Sequence, residues 1–143
     1  MKDEQGWLGF RQDVEGKRGE VPAFVFAAWT GGVVGRLSQP QRAFGLCLGG
    51  PVTGAALKEL AGLKGLQMLS LDHTQVTDAG MKELAQLKGL QWLSLNGTRV
   101  TDAGLKELAE LGGLQMLYLI QAMVTDAGVA ELQKALPELT IWR

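Results

Sequence analysis

Cysteine and histidine are almost absent from this chain, and their scarcity limits the chemistry that it can support. Cys47 is the single cysteine among 143 residues, so no disulfide can form within the chain. His73 is the single histidine, and these two residues cannot supply the ligands of a tetrahedral metal site. We therefore expect no disulfide framework and no metal or other cofactor. A lone thiol fits a reducing compartment, and we expect a cytoplasmic location.

An excess of one charge and long apolar runs are also lacking. Fourteen basic and fifteen acidic residues give a formal charge of −1 at pH 7, without the clustered basic surface of nucleic-acid binders. The longest apolar stretch, residues 21–34, is interrupted by Pro22, Gly31 and Gly32, and is shorter than the roughly 20 residues of a membrane-spanning helix. Residues 1–20 mix both charges, unlike a secretory signal. We expect neither a nucleic-acid nor a membrane partner.

Internal repetition governs the chain after residue 44. The dipeptide Val-Thr recurs every 24 residues, at Val52-Thr53, Val76-Thr77, Val100-Thr101 and Val124-Thr125. Each copy opens a segment with helical spacing of apolar residues, and a Leu-x-x-Leu-x-Leu string follows. Leucines two apart, such as Leu69 and Leu71, share one face of a strand. A single unit cannot bury these leucines, whereas stacked units can.

The pattern predicts one parallel sheet and a set of helices. Strands are expected at residues 44–48, 67–71, 91–95, 115–119 and 139–142. Helices are expected near residues 54–61, 78–86, 102–110 and 126–135. Thr77 or Asp78 is expected to cap its helix, because an oxygen there can accept otherwise unpaired backbone N–H groups.

The string Leu-x-x-Leu-x-Leu-x-x-Thr-x-Val-Thr-Asp-Ala-Gly-Leu resembles the leucine-rich-repeat family, in particular its ribonuclease-inhibitor-like, cysteine-containing subclass from bacterial and F-box proteins. The resemblance covers residues 44–143. It implies an α/β fold, a right-handed solenoid with its parallel sheet on the concave face and its helices on the convex face. The family often has Asn or Cys in the turn after the strand. Thr74 and Thr98 stand there in this chain, and their hydroxyls can bond the turn backbone. The third copy has Ala122, so we expect a looser turn near residues 120–123.

Residues 1–43 carry no repeat, and we predict that they form an N-terminal cap on the leucine core. The alternative is a segment that docks onto a partner or another domain. No cap is evident beside Trp142 and Arg143. The strand there is expected to expose an unpaired edge, which predicts weak self-association, a continuation of the chain, or cover from another subunit.

Candidate catalytic groups are sparse and have simpler explanations. His73 follows Asp72, but no nucleophile is placed by sequence to join them, so we interpret it as a solvated loop residue. One aspartate per repeat (Asp78, Asp102 and Asp126) is explained by helix capping rather than by calcium. Cys47 is interpreted as a small filler, and Gly31-Gly32 lacks the pattern of a phosphate-binding loop. We therefore expect a protein that is not an enzyme.

Strand residues that alternate with the leucines are expected to face outward. They are Met68, Ser70 and Asp72, then Trp92, Ser94 and Asn96, then Met116, Tyr118 and Ile120, with Glu138, Thr140 and Trp142 in the final strand. Large exposed apolar clusters mark contact surfaces, and Trp, Tyr and Met are enriched in interfaces. The predicted partner-binding residues are Met68, Trp92, Met116, Tyr118, Ile120 and Trp142, with Arg99 at the rim. Trp92, which is central among the strands, is the predicted anchor. The alternative is that the cap or loops cover this row.

Two functions are compatible with these features. The first is a protein-interaction module that binds a protein partner on the concave strand face. The second is a structural or regulatory segment of a larger multidomain protein. Fold alone does not decide between them.

Overall fold

The computed structural model describes residues 23–26, as backbone, and residues 43–143. The predicted cap, residues 1–43, therefore lies mostly outside the described residues and stays a prediction. Its described part is β1 (Ala23–Phe26), which pairs in parallel with the first repeat strand, Ala23 opposite Gly45.

Strands and helices alternate through the described residues after residue 43. The strands are β2 (Phe44–Leu48), β3 (Leu66–Ser70), β4 (Trp92–Ser94), β5 (Met116–Tyr118) and β6 (Thr140–Trp142). The helices are α1 (Gly54–Leu60), α2 (Asp78–Leu84), α3 (Asp102–Leu108) and α4 (Asp126–Ala135). The strands β1 to β6 form one sheet in chain order, and every neighbouring pair of strands is parallel. The predicted parallel sheet and helices are confirmed, although most elements are shorter than expected.

The core lies between the sheet and the helices. Leu69, Leu93 and Leu117 stand opposite one another in β3, β4 and β5, and all three are fully buried. Leucines from the helices, such as Leu84 and Leu108, belong to the same buried cluster. Because a buried leucine contributes about 1.5–3 kcal/mol, the stack of equivalent leucines supplies most of the driving force.

The turns after the strands repeat one conformation. Thr74 and Thr98 each donate a hydroxyl hydrogen bond to the strand carbonyl three residues earlier, at 2.6 and 2.7 Å, as their position in the sequence predicts. The prediction of a looser turn near Ala122 is wrong for the backbone. Its N–H donates to the Leu119 carbonyl at 3.0 Å, and Gln121 has a φ of 60°, close to the φ of the corresponding residue in the two preceding turns.

The helix aspartates join neighbouring repeats. Asp78 accepts the backbone N–H and the hydroxyl of Thr101, both at 2.7 Å. Asp102 accepts the same pair of groups from Thr125, at 2.8 and 2.5 Å. These bonds hold the pKa of Asp102 below its usual value. The capping prediction was therefore incomplete: the threonines at positions 101 and 125 do accept a helix N–H, but the Thr77 side chain makes no capping bond.

A glycine in each following helix makes room for the aspartate. A Cβ atom on Gly104 would collide with the Asp78 carboxylate, and one on Gly128 would collide with Asp102. The Asp-Ala-Gly motif therefore has a steric explanation. The aspartate of one repeat binds the threonine of the next, and the glycine of that next repeat leaves the space.

Candidate functional site

The outer sheet face is the side of the sheet turned away from the leucine core. Strand register arranges its side chains in three rows that run across the strands. The first row is Gly45, Met68, Trp92, Met116 and Thr140. The second row is Cys47, Ser70, Ser94, Tyr118 and Trp142. The third row, just past the strands, is Asp72, Asn96 and Ile120. Six of the predicted binding residues therefore share one face.

Three rings on adjacent strands form an aromatic cluster, defined as Trp92, Tyr118 and Trp142. The ring centroids of Trp92 and Tyr118 are 5.4 Å apart, with planes tilted by 47°. The centroids of Tyr118 and Trp142 are 6.3 Å apart, and their planes are within 12° of parallel. Such spacing is that of favourable aromatic pairs. Tyr118, rather than Trp92, is the middle member of the cluster.

Exposed apolar surface is concentrated in the last two repeats. Among the described residues, the exposed large hydrophobic side chains are Met116 at 40%, Ile120 at 48%, Met123 at 65% and Trp142 at 54%. Met68 and Trp92 are half-buried. The centre of the candidate site therefore lies over β5 and β6, one strand further along than the sequence predicted.

The second and third rows are small and polar over β3 and β4. Asp72 accepts hydrogen bonds from the Ser94 hydroxyl at 2.5 Å and from the Asn96 backbone N–H at 3.0 Å. The Asn96 side chain in turn accepts the Ile120 N–H at 2.8 Å. Ser94 was expected to be exposed, but it is only 1% accessible because it lies inside this network.

Two residues lie beyond the three rows, past the turn that follows each strand. Arg99 does not lie in any of the three rows: it forms an isolated bridge with Thr77 beyond the turn, on the path to α3. Met123, which sequence reasoning missed, holds the corresponding place one repeat later, opposite Thr101. The sequence alone could have indicated this exposed apolar residue, because a methionine stands where the preceding repeats have Gln75 and Arg99. Glu138 precedes β6 and is exposed.

Cys47 and His73 are the groups that were considered for catalysis. Burial and the nearby Asp72 carboxylate raise the pKa of the Cys47 thiol, which keeps it protonated and poorly nucleophilic at neutral pH. His73 is exposed in its turn. Across the described residues, no three His, Cys, Asp or Glu side chains are grouped as a metal site would require. Within the same ranges, no helix is both long and apolar enough to cross a membrane.

Comparison with known proteins gives structural neighbours only. No family model and no curated protein sequence matches the chain. A leucine-rich-repeat protein of Leptospira interrogans has 31% identity over 68% of this chain, with a TM-score of 0.55. Internalin C2 from Listeria monocytogenes has 31% identity over 70% of this chain, with a TM-score of 0.53. The matched part spans 24% and 40% of those two proteins.

Neither neighbour's name describes an enzyme, in agreement with the sequence prediction. The repeated parallel strands, the alternating helices and the continuous leucine core match the architecture of these neighbours. The chain is an α/β leucine-rich-repeat solenoid, and its structural neighbours are leucine-rich-repeat proteins.

Proposed function

We propose that the chain is a protein-interaction module that binds its partner on the outer sheet face, which this fold places on the concave side. The observation that carries the proposal is the clustering of exposed apolar side chains over β5 and β6. Contiguous apolar surface on a folded protein marks a contact site, and Tyr, Trp and Met are enriched in such sites.

The repeat architecture favours this use because it holds the cluster on a rigid support. Backbone hydrogen bonds join β5 to both neighbours and continue past the strands, as between the Leu119 N–H and the Trp142 carbonyl at 2.7 Å. Little ordering entropy is then lost on binding, which leaves more of the contact energy as affinity. Tyr118 and Trp92 are the expected anchors, with Met68 and Met116 as adaptable flanks. Arg99 is a rim contact in this proposal.

The test is a pull-down from native lysate with the wild-type chain and three variants. Trp92→Ala and Tyr118→Ala should each lose a specific partner, with affinity reduced by about 2 kcal/mol or more. Lys82→Glu, on the outer surface of α2, is the matched control and should retain the partner. The concave-face assignment is wrong if partners survive both aromatic substitutions but are lost with Lys82→Glu.

A second candidate function is a structural or regulatory segment of a larger multidomain protein. It is favoured by the small fraction of each structural neighbour that this chain spans. The mass of the native polypeptide separates the two functions. The finer assignments stay proposals: the 24-residue Val-Thr-Asp-Ala-Gly-Leu subclass, a cytoplasmic location, and the absence of nucleic-acid and membrane partners.

A further inference from the structure

The turn after strand β4 contains a chemically reactive dipeptide, Asn96-Gly97, with the one asparagine of the chain. In such a dipeptide the glycine nitrogen can attack the side-chain carbonyl carbon of the asparagine, because glycine has no Cβ atom to hinder the approach. A C–N bond closes a succinimide ring, and the side-chain nitrogen leaves as ammonia. Water then opens the ring at either carbonyl and leaves aspartate or isoaspartate, so no reagent other than water is consumed.

The glycine of this pair is required by packing between repeats. Gly97 has a φ of 62°, and His73 and Gln121 adopt 55° and 60° in the corresponding turns, so the backbone conformation alone does not demand glycine. A Cβ atom on Gly97 would, however, collide with the His73 ring. Of these three turns, the one after β4 alone joins an asparagine to a glycine. The fold therefore keeps a reactive dipeptide at this position.

Hydrogen bonds from both neighbouring repeats hold the reacting groups in place. The Ile120 carbonyl accepts the Gly97 N–H at 2.8 Å, and the Ile120 N–H donates to the side-chain oxygen of Asn96, also at 2.8 Å. From Asn96, the side-chain nitrogen donates to the Ser94 hydroxyl at 2.9 Å, and the backbone N–H donates to Asp72 at 3.0 Å. Ring closure needs the Gly97 nitrogen to lose its proton and approach the side-chain carbon, so its bond to Ile120 must open first.

We propose that Asn96 is a site of spontaneous deamidation, which the folded repeat stack keeps closed and which reacts when the turn after β4 opens. The hydrogen bonds that Asn96 makes to Asp72 and Ser94 restrain that opening. Asn96 and Gly97 are both half-buried, so water reaches the turn once it opens.

The products cannot rebuild the same hydrogen bonds. Aspartate at position 96 has no side-chain N–H for the Ser94 hydroxyl. It also places a carboxylate where the amide nitrogen now lies 3.5 Å from the Asp72 carboxylate, and like charges this close repel each other. In isoaspartate the main chain passes through the side-chain carbon, which displaces the Gly97 N–H from the Ile120 carbonyl. Deamidation therefore weakens the contacts of this turn with the repeats on both sides.

The direct test follows the mass of the full chain during incubation in mildly alkaline buffer. Since Asn96 is the one asparagine, the mass gain on exchange of an amide for a carboxylate reports this site, and peptide mapping confirms its position. The reference is a blocked peptide of residues 92–100. We expect the folded chain to deamidate at least about tenfold more slowly than the peptide, and the urea-unfolded chain to match it. Equal rates in the folded chain and the peptide, or an unfolded chain that does not react, would overturn the proposal.

Variants in the hydrogen-bond network test what keeps the site closed. Asp72→Ala removes an acceptor of both Asn96 and Ser94 and should raise the rate in the folded chain at least about threefold. Asp102→Ala is the matched control, because it removes a carboxylate bonded to Thr125 and leaves Asn96 untouched. Ser94→Ala is a milder variant that serves if circular dichroism shows Asp72→Ala unfolded, and a smaller rise is expected. Equal acceleration by Asp72→Ala and Asp102→Ala, or none by Asp72→Ala and Ser94→Ala, would overturn the role of the network.

Asn96→Asp measures the effect of the product directly. It should unfold at a lower denaturant concentration than wild type does. Asp72→Asn in that background should recover part of the loss, because one of the two neighbouring charges is then removed. An Asn96→Asp chain as stable as wild type would overturn the predicted weakening of the repeat contacts.

Discussion

At the scale of single residues, the second row of the outer sheet face shows how one position changes a surface. Cys47, Ser70 and Ser94 keep that row small over β2 to β4, and then Tyr118 and Trp142 fill it over β5 and β6. The backbone is nearly the same in each repeat. Side-chain size therefore distinguishes this row over β5 and β6 from the same row over β2 to β4.

Leu93 tests the core at the same scale. It is fully buried between Leu69 and Leu117, so Leu93→Ala removes contacts with both neighbouring repeats and leaves a cavity. We expect the free energy of unfolding to fall by about 2–5 kcal/mol in a denaturant titration. Lys106→Ala, at an exposed position of α3, should change it by no more than about 0.5 kcal/mol. A loss below about 1 kcal/mol for Leu93→Ala would count against the stacked core.

Residue alternation in the sequence predicts much of the site, but not its centre. The period of two between leucines assigns Met68, Trp92 and Met116 to one row, and the register confirms that row. Ser94 is buried within a network of hydrogen bonds with Asp72 and Asn96, which follow two different strands, β3 and β4. Exposure at Met123 depends on the path of the chain beyond the turn. Neither follows from periodicity, because both arise from contacts between segments.

At the scale of elements, the aspartate of one repeat accepts hydrogen bonds from the threonine of the next, an arrangement called here the repeat interlock. It explains the Asp-Ala-Gly motif, which helix capping explains only in part. The sequence places an aspartate at the start of each of three helices, and the structure shows its carboxylate bound to the following repeat in two of them. A capping argument considers one helix at a time. The bond to a threonine 23 residues away becomes visible only when the repeats are stacked.

The first helix lacks this interlock, and this absence gives a prediction. Gly54 stands where the later helices have aspartate, and Thr77 has no side-chain capping bond. A Cβ atom at Gly54 would lie 3.5 Å from the Gly80 Cα, an ordinary contact. Gly54→Asp should therefore bond Thr77 as Asp78 bonds Thr101. We expect it to stabilise the chain by about 1 kcal/mol more than Gly54→Ala, the variant that isolates helix propensity.

A double-mutant cycle in a denaturant titration identifies the source of that gain. In a Thr77→Val background the hydroxyl is gone, so the advantage of aspartate over alanine at position 54 should shrink. An aspartate variant no more stable than the alanine variant would show that the interlock does not extend to this repeat.

At the scale of the whole molecule, the surface beyond β6 differs from the surfaces between repeats. β6 pairs with β5 on one side, and no described strand pairs with its other side. Arg143 follows Trp142 in the register position that the buried Leu119 holds one repeat earlier. Its guanidinium pairs with Asp126, the carboxylate that corresponds to Asp78 and Asp102. Arg143 also lines an open depression of about 330 Å³ beside Leu119 and Val124.

A charge at a leucine position is one way in which proteins protect an exposed sheet edge. The predicted self-association through β6 should therefore be weak in the wild-type chain and stronger once that charge is removed. Arg143→Leu restores the apolar residue of the interior repeats and frees the Asp126 carboxylate. We expect sedimentation velocity at tens of micromolar to show more dimer or larger species than in wild type. Lys134→Leu places a leucine at an exposed position of α4, away from the edge, and should sediment as wild type does. If both leucine variants associate equally, the effect is general hydrophobicity rather than the edge. If Arg143→Leu sediments as wild type does, Arg143 does not protect the edge.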